Sequence, residues 1–195
     1  MAWRWLGFHL DRRERQRVEQ GERETAAAWR RRDTAALQAA LTLFQRDIYY
    51  YLCSICGDAT RAQDLTQETF LHAWRAAERG PADGNLRAWF FSIARNVALD
   101  VFRTAARRQE KLAQVATPER IAAGDQLDEI IRREDRVALT KLLDQLSAAD
   151  RELLHLRFSA DFNCEAIATL TGANPAQIRK RISRLVIYLR NPLPA

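Results

Sequence analysis

The chain has 195 residues, 47% of them hydrophobic, and its 31 lysine and arginine residues exceed its 25 acidic residues for a formal net charge of +6. This length permits one large or two small domains with hydrophobic cores, and the positive charge suits a polyanionic partner without establishing one. Since no stretch is apolar enough to span a bilayer or to act as a secretory signal, and since three cysteines give no disulfide framework, we expect a cytoplasmic protein without stable membrane insertion.

The residue types predict an all-α protein. The chain has only 7 Gly and 5 Pro, strong helix formers fill long stretches, and alternating runs of Val, Ile and Thr are few. We therefore expect two small helical domains joined by a linker. Residues 1–32 would precede them as an N-terminal extension, partly helical and poorly fixed, because aromatic residues near its start are followed by a dense run of charges.

Residues 33–108 are predicted to form the first helical domain. Its first helix carries an apolar stripe at helical spacing and ends at the Gly57-Asp58 pair. A second helix follows over roughly residues 61–78, before a loop over residues 79–84 that contains two glycines and a proline. The third helix of the domain is expected over roughly residues 86–107, with an apolar stripe of Leu86, Phe90, Ile93, Val97 and Val101.

Residues 109–132 are predicted to be a linker, because they lack aromatic residues, contain Thr-Pro and Gly-Asp pairs, and have more acids than bases. Residues 133–195 would then form the second domain, with four helices. The first of these precedes Ser147 and carries Val137, Leu139, Leu142, Leu143 and Leu146. Ser147 is expected to open one of these helices through a capping box, and Asn163 is expected to cap a short helix after it.

The C-terminal segment is the most informative part of the sequence, because no acidic residue occurs from Ala166 to Ala195. Asn174 is a strong N-cap and Pro175 suits the first position of a helix, so a helix should begin there. A short helix and a Thr-Gly pair precede it, which is the layout of a helix-turn-helix whose second helix enters the major groove of DNA. The alternative is a solvated basic helix in an ordinary bundle. The apolar stripe of this helix is Ile178, Ile182, Leu185 and Leu189, and its other faces carry Gln177, Arg179, Lys180, Arg181 and Arg184.

No arrangement of residues indicates a catalytic site, a metal site or a bound cofactor, so we do not expect an enzyme. Cys53 and Cys56 form a Cys-x-x-Cys pair, but they lie within a predicted helix, and a structural zinc ion needs four ligands. Burial as small apolar side chains is the preferred interpretation of both. Asp64 and Glu68 share a helix face, which is more typical of an interaction surface than of acid–base catalysis.

Several motifs together resemble one protein family. Residues 64–74, DLTQETFLHAW, resemble conserved region 2 of bacterial sigma factors of the extracytoplasmic-function (ECF) type. Residues 86–100, LRAWFFSIARNVALD, are similar to the next segment of that family, which opens the promoter, and the C-terminal domain resembles its region 4. The resemblance extends from Asp33 to Arg190 in the family's order and spacing. It implies a dissociable subunit of RNA polymerase that directs promoter recognition.

The resemblance also implies which residues contact each partner. The helix with the Asp-Leu-x-Gln-Glu-x-Phe motif would dock on a coiled coil of the largest polymerase subunit, and the segment around residues 79–108 would capture and open the −10 element. Asn96 is the residue of that segment we most expect to touch DNA. Phe70 and Trp74 are equally compatible with an ordinary core position. The core polymerase-binding residues implied are Asp64, Leu65, Gln67, Glu68, Phe70 and Trp74, and the −10 residues are Arg87, Arg95, Asn96, Arg103 and Arg107.

The second domain would read the −35 element through the helix that begins at Pro175. Glutamine pairs well with adenine and arginine with guanine, although one sequence does not tell which bases are read. Two positions depart from the family: Ala166 replaces a common acid, and Pro175 replaces a small polar or acidic residue. The implied −35 residues are Pro175, Ala176, Gln177, Arg179, Lys180, Arg181 and Arg184.

Core RNA polymerase and promoter DNA are thus the expected partners, and an anti-sigma factor is the expected regulator. Two other functions are compatible with the helices. The chain could be a free-standing helix-turn-helix regulator that binds duplex DNA as a dimer, with its N-terminal domain used for dimerisation or sensing. A helical module that only sequesters a protein partner is the weaker alternative.

Overall fold

The computed structural model describes residues 12–81, 85–109, 142, 143 and 145–190, and these residues form helices and no β-strand. They fall into two compact units, one holding helices α1 to α4 and the other α5 to α7. None of the helices in the described ranges combines the length and the apolar character needed to cross a membrane. The helices are α1 (Arg12–Arg30), α2 (Thr34–Cys56), α3 (Ala59–Arg75), α4 (Leu86–Gln109), α5 (Ala148–Leu154), α6 (Cys164–Thr171) and α7 (Pro175–Arg190).

Local capping sets the ends of α2 and α3, and it confirms the predicted break between them. The Asp33 carboxylate accepts a hydrogen bond from the Ala35 N–H at 2.9 Å, and that of Asp58 accepts one from the Arg61 N–H at 2.9 Å. Gly57 ends α2 in the left-handed conformation with φ 68°, where a side chain would be strained.

The core of the first unit is aromatic and is built from α2, α3 and α4. Phe44 of α2 and Phe70 of α3 both pack on Phe90 of α4, with ring centroids 5.2 and 5.0 Å away. Phe44 and Phe90 have no exposed surface, so α2, α3 and α4 pack together around the Phe90 ring. The predicted apolar stripe of α4 is correct at Leu86, Phe90 and Val97, whereas Ile93 and Val101 are only half-buried.

Helix α1 differs from the poorly fixed extension that the sequence suggested. Its C-terminal part packs against α2, α4 and the turn after α3. Trp29 is fully buried, and its ring meets those of Trp74 and Phe90 edge-on at centroid distances of 5.4 and 5.1 Å. The helical conformation agrees with the prediction. The attachment of α1 to the core was missed because Ala26 and Trp29, which are buried, follow a run of mostly charged residues in the sequence.

Helix α3 is shorter at its C-terminal end than predicted. Helix α3 ends at Arg75, and a short 3-10 turn over Ala77–Arg79 leads to the buried Gly80 and Pro81. The rest of the predicted loop, residues 82–84, lies outside the described residues, and so does the predicted linker from residue 110 onward.

The second unit has the helical signals that its sequence predicts. Ser147 accepts the Asp150 N–H at 3.1 Å to open α5, which continues into a π-helical turn over His155–Ser159. Asn163 caps α6 by accepting the Ala166 N–H at 2.8 Å, and Gly172 ends α6 with φ 70°. Most of the helix predicted before Ser147 lies outside the described residues.

Helix α7 begins at Pro175 as predicted, with the Asn174 side chain accepting the Ala176 N–H at 2.8 Å. Ile178, Ile182 and Leu185 of its apolar stripe are buried, and Leu189 is half-buried. Helices α6 and α7 pack against each other across the Gly172 turn, which gives the unit a helix-turn-helix arrangement.

Candidate functional site

Helix α3 presents a solvent-exposed stripe on the side opposite to the core. The members of this α3 stripe are spaced three or four residues apart, so they lie on one helix face. Leu71 is 56% exposed in the middle of the stripe, which is unusual for a large apolar side chain surrounded by charged and polar neighbours. The α3 stripe consists of Asp64, Gln67, Glu68, Leu71 and Arg75.

The remaining sequence-predicted polymerase-binding residues lie beneath this stripe. Leu65 is 3% exposed and Phe70 is 6% exposed, so both pack into the core and offer no surface to a partner. Trp74 is half-buried against Trp29. These three side chains fix α3 in the core, whereas the exposed part of the motif consists of its polar residues together with Leu71, which the sequence analysis did not single out.

A groove of about 740 Å³ runs between α3 and α4. Its lining includes the half-buried Ile93 and Val101, with Asn96 of α4 and His72 of α3 among the polar groups around them. Asn96 is exposed and belongs to this groove, so its amide can donate to and accept from a bound group. The groove thus combines apolar surface with hydrogen-bonding groups, and Glu68 and Asp100 also line it.

Arg87 does not have the free guanidinium that the sequence suggested. Its Nη2 donates to the Asp47 carboxylate at 2.8 Å, and its Nη1 lies 3.7 Å from the Glu22 carboxylate. The Arg87 side chain is only 20% exposed, and its guanidinium carbon lies 5.6 Å from the centre of the Phe91 ring. Arg87 thus joins α1, α2 and α4, and its charge is already compensated within the unit.

Replacing Arg87 with glutamine should therefore destabilise the fold rather than weaken DNA contacts directly. We expect a loss of about 1–3 kcal/mol in the free energy of unfolding, because two partly buried carboxylates would lose their cation. Denaturant unfolding measures the loss. Glu22→Gln in the Arg87→Gln background should restore part of the lost stability, and an unchanged stability in Arg87→Gln would contradict the assignment.

The other cations of α4 differ in their availability. Arg95 is half-buried, and Arg103 is 66% exposed with its Nη1 3.1 Å from the Asp100 carboxylate. The side chain of Arg107 lies outside the described residues. The ion pair between Arg103 and Asp100 is exposed and joins residues three positions apart, and such pairs are weak. Arg103 can therefore exchange Asp100 for another anion such as a phosphate.

Helix α7 carries its DNA-reading candidates on the face opposite to its buried stripe. Helical spacing places Lys180 with Ala176 on that outer face, while Gln177 and Arg184 lie on one flank. All four are exposed, and Pro175 is half-buried at the helix start. Lys180 and Arg184 have no carboxylate partner within the described ranges, so both cations are available to a polyanion.

Arg179 and Arg181 are held by carboxylates of the two preceding helices. Arg179 Nη2 lies 3.2 Å from Glu165 of α6, and both side chains are exposed. The Arg181 Nε donates to the Asp150 carboxylate of α5 at 2.6 Å, and Asp150 is 18% exposed. Arg181 therefore lies beside the buried stripe and connects α7 to α5, which differs from the base-reading position that the sequence suggested.

Protonation of Asp150 controls this connection. Burial by itself raises the pKa of the Asp150 carboxyl, but the hydrogen bonds from Arg181 and Ser147 and the guanidinium charge outweigh it, so the pKa lies below its ordinary value of 3.8. The hydrogen bond to Asp150 likewise raises the pKa of Arg181. The carboxylate is ionised, and the pair is intact, throughout the neutral range.

This pair predicts a specific pH dependence of stability. Because the folded pKa is depressed, the stabilisation is complete above the unfolded pKa and is lost as the pH falls through the folded pKa. We expect Asp150→Asn to lower the free energy of unfolding by about 1 kcal/mol at pH 7. The difference from the wild type should shrink once the pH is below 3.8. Denaturant unfolding between pH 7 and pH 3 measures it, and a constant difference would contradict the ionic contribution.

Cys56 is buried as the sequence predicts, whereas Cys53 is only half-buried. Burial raises the pKa of the Cys56 thiol to about 11, and burial is also the main cause of the raised pKa of Cys53. Both thiols are therefore protonated at neutral pH and are poor nucleophiles. No cluster of three or more His, Cys, Asp or Glu side chains suited to a metal ion occurs in the part of the chain that the structure describes.

Comparison with known proteins places these surfaces in a family. Residues 41–108 match the family described as Sigma-70 region 2, and the α3 stripe and the groove lie within these residues. The ECF RNA polymerase sigma factor SigL of Mycobacterium tuberculosis is 32% identical over 164 residues, which cover 80% of this chain and 90% of SigL. The chain belongs to the ECF RNA polymerase sigma factors.

Two further similarities agree with this membership. The ECF sigma factor SigC of Mycobacterium tuberculosis is 32% identical over 149 residues, covering 76% of this chain and 78% of SigC. The solved structure of the sigma factor RpoE in complex with the anti-sigma factor NepR, from Bartonella quintana, has a TM-score of 0.69 and 25% identity, and covers 79% of this chain and 94% of that one. The chain is thus an alternative sigma factor that binds core RNA polymerase and directs promoter recognition and opening. The free-standing regulator is not favoured.

Proposed function

We propose that this sigma factor divides its contacts among three surfaces: the α3 stripe for core polymerase, the α3–α4 groove for the −10 element, and the outer face of α7 for the −35 element. In this proposal, residues 33–108 and 133–195 are the two functional domains, joined by residues 109–132. The observation that carries the proposal is the exposed α3 stripe, where Leu71 stands 56% exposed among polar groups. A few polar side chains around one apolar anchor are typical of a protein interface.

The proposed −10 contact uses the groove and the exposed polar residues of α4. Opening a duplex requires a base to leave the stack, and its release costs a few kcal/mol that a pocket must offset. Asn96 can hydrogen-bond the edge of such a base, while Ile93 and Val101 provide an apolar surface for its face. Arg103 is the exposed cation that we assign to a neighbouring phosphate.

The proposed −35 contact uses the outer face and one flank of α7. Lys180 faces the major groove in this proposal, Gln177 reads a base edge from the flank, and Arg184 contacts a phosphate. Arg179 is an additional reader, oriented by Glu165. We assign Arg181 to the junction with α5 rather than to a base, in agreement with its bond to Asp150.

We also propose that an anti-sigma factor regulates the chain. The chain itself acts in the cytoplasm as an initiation factor without catalytic activity of its own. Support for the regulator comes from the similar sigma factor RpoE, whose solved structure is a complex with the anti-sigma factor NepR. The location follows from the expected partners, since RNA polymerase and the genome are cytoplasmic in bacteria.

In-vitro transcription with core RNA polymerase and a random promoter library tests the proposal. Specific initiation only in the presence of the chain is the expected result, and the selected promoters should contain two separated sequence elements. Tight binding to a palindromic duplex without polymerase would instead favour the free-standing regulator. Failure of the chain to associate with core polymerase in the absence of any inhibitor would overturn the proposal.

A further inference from the structure

A cluster of arginines lies at one corner of the first unit, and of its members only Arg75, at the end of the α3 stripe, belongs to a surface described so far. Its members come from the end of α1, the end of α3 and the turn after α3, and all five side chains are exposed. We refer to them as the corner arginines. They are Arg30, Arg31, Arg32, Arg75 and Arg79.

Contacts between the three segments bring these arginines together. The Arg32 Nη2 lies 3.5 Å from the carbonyl oxygens of both Trp74 and Arg75, so this guanidinium sits on the C-terminal end of α3. The Arg30 side chain lies against Gly80, where a Cβ atom would be only 2.7 Å from the Arg30 Cγ. The end of α1 is therefore fixed on the turn that contains Arg79.

The charge of the corner arginines is poorly compensated. Glu78 lies 3.5 Å from Arg32, but the side chains of Arg30, Arg31, Arg75 and Arg79 have no ion-pair or hydrogen-bond partner among the residues that the structure describes. Cations near helix C-termini are favourable, which accounts for one arginine at the end of α1 and one at the end of α3. It does not account for Arg31 and Arg79, whose charges add repulsion to the same corner.

We propose that the corner arginines bind the phosphates of the displaced promoter strand beside the −10 element. Arginine matches phosphate geometry through its planar fork of donors, and the described cations of this unit are all arginines. Arg79 lies in the turn over Ala77–Arg79, and Ala76, immediately before this turn, lines the α3–α4 groove. This inference rests on the proposed function of that groove, and it extends the DNA-binding surface to α1, which precedes the Sigma-70 region 2 match at residues 41–108.

The test uses the full chain reconstituted with core polymerase and fork-junction DNA made from a promoter selected by the wild-type holoenzyme. The variant carries Arg30→Gln, Arg31→Gln and Arg79→Gln. Arg32 stays unchanged because it is bound to carbonyl groups, and Arg75 stays unchanged because it belongs to the α3 stripe. Each phosphate contact on a single strand contributes about 0.7 to the slope of log affinity against log salt concentration. We expect the slope to become shallower by about 2, with roughly tenfold weaker binding at low salt.

Three controls separate the possible outcomes. Arg46→Gln, which changes an exposed arginine on α2, should leave the slope unchanged. The triple variant should bind core polymerase normally and unfold at the wild-type denaturant concentration; if it does not fold, the single variants Arg31→Gln and Arg79→Gln should each lower the slope by about 0.7. An unchanged slope, or a loss of polymerase binding instead, would overturn the inference while leaving the proposed function intact. A wild-type holoenzyme that binds no promoter would overturn the proposed function first.

Discussion

Replacing Trp29 with alanine should lower the free energy of unfolding of the α1–α4 unit by about 3–5 kcal/mol. Trp29 has no exposed surface and meets the rings of Trp74, Trp89 and Phe90 edge-on, with centroids 5.1 to 6.3 Å away. Alanine would leave a cavity among these rings and would remove the buried ring that connects α1 to the core. Denaturant unfolding of the full chain, followed by near-ultraviolet circular dichroism, measures the loss.

Two variants make this prediction specific. Trp29→Phe should cost considerably less, because it keeps an aromatic ring and removes the indole Nε1, which is buried without a hydrogen-bond partner among the described residues. Glu24→Ala changes an exposed residue on the same helix and should change stability by no more than about 0.5 kcal/mol. A loss below about 1 kcal/mol for Trp29→Ala would show that α1 is not part of the core.

Replacing Leu71 with aspartate should weaken binding to core RNA polymerase by roughly thirtyfold or more, the effect of losing an interface anchor worth about 2 kcal/mol. Leu71 is 56% exposed, so the substitution leaves no cavity and should hardly change the stability of the free chain. Glu68→Lys, on the same α3 stripe, should reduce the affinity in the same direction. Equilibrium binding of the labelled chain to core polymerase measures both effects.

The matched control for this surface is Gln38→Asp, which adds the same charge at an exposed position of α2. It should bind core polymerase as the wild type does. If Leu71→Asp bound normally, or if Gln38→Asp were equally weak, the α3 stripe would not be the docking surface. In contrast to Leu71, substitution of the buried Phe70 would unfold the unit and would therefore not test docking.

Local signals in the sequence were sufficient for most helix boundaries. Asp33, Asp58, Ser147 and Asn163 each accept a backbone N–H at a helix start, and the predicted break at Gly57 occurs where a left-handed residue is needed. Such signals act over three or four residues, so they can be read without knowledge of the fold.

Exposure within an amphipathic helix was harder to predict. The motif in α3 does not distinguish Leu65, which is 3% exposed, from Leu71, which is 56% exposed, because both are leucines within the same eleven-residue segment, residues 64–74. Their difference follows from the side of α3 that faces α2 and α4. Similarly, Trp29 belongs to a strongly charged segment, and only packing against Phe90 makes it a core residue.

The sequence by itself determined the helical class, the family, and the presence of a basic helix after a turn at Gly172, because composition, motif spacing and capping are properties of neighbouring residues. Only the tertiary structure decided which arginines are free to meet DNA. Arg87 and Arg181 are paired with Asp47 and Asp150, which lie 40 and 31 positions away in the chain. The charge of a guanidinium is compensated by the carboxylate that the fold brings within a few ångströms of it. The neighbouring residues in the sequence do not determine that distance.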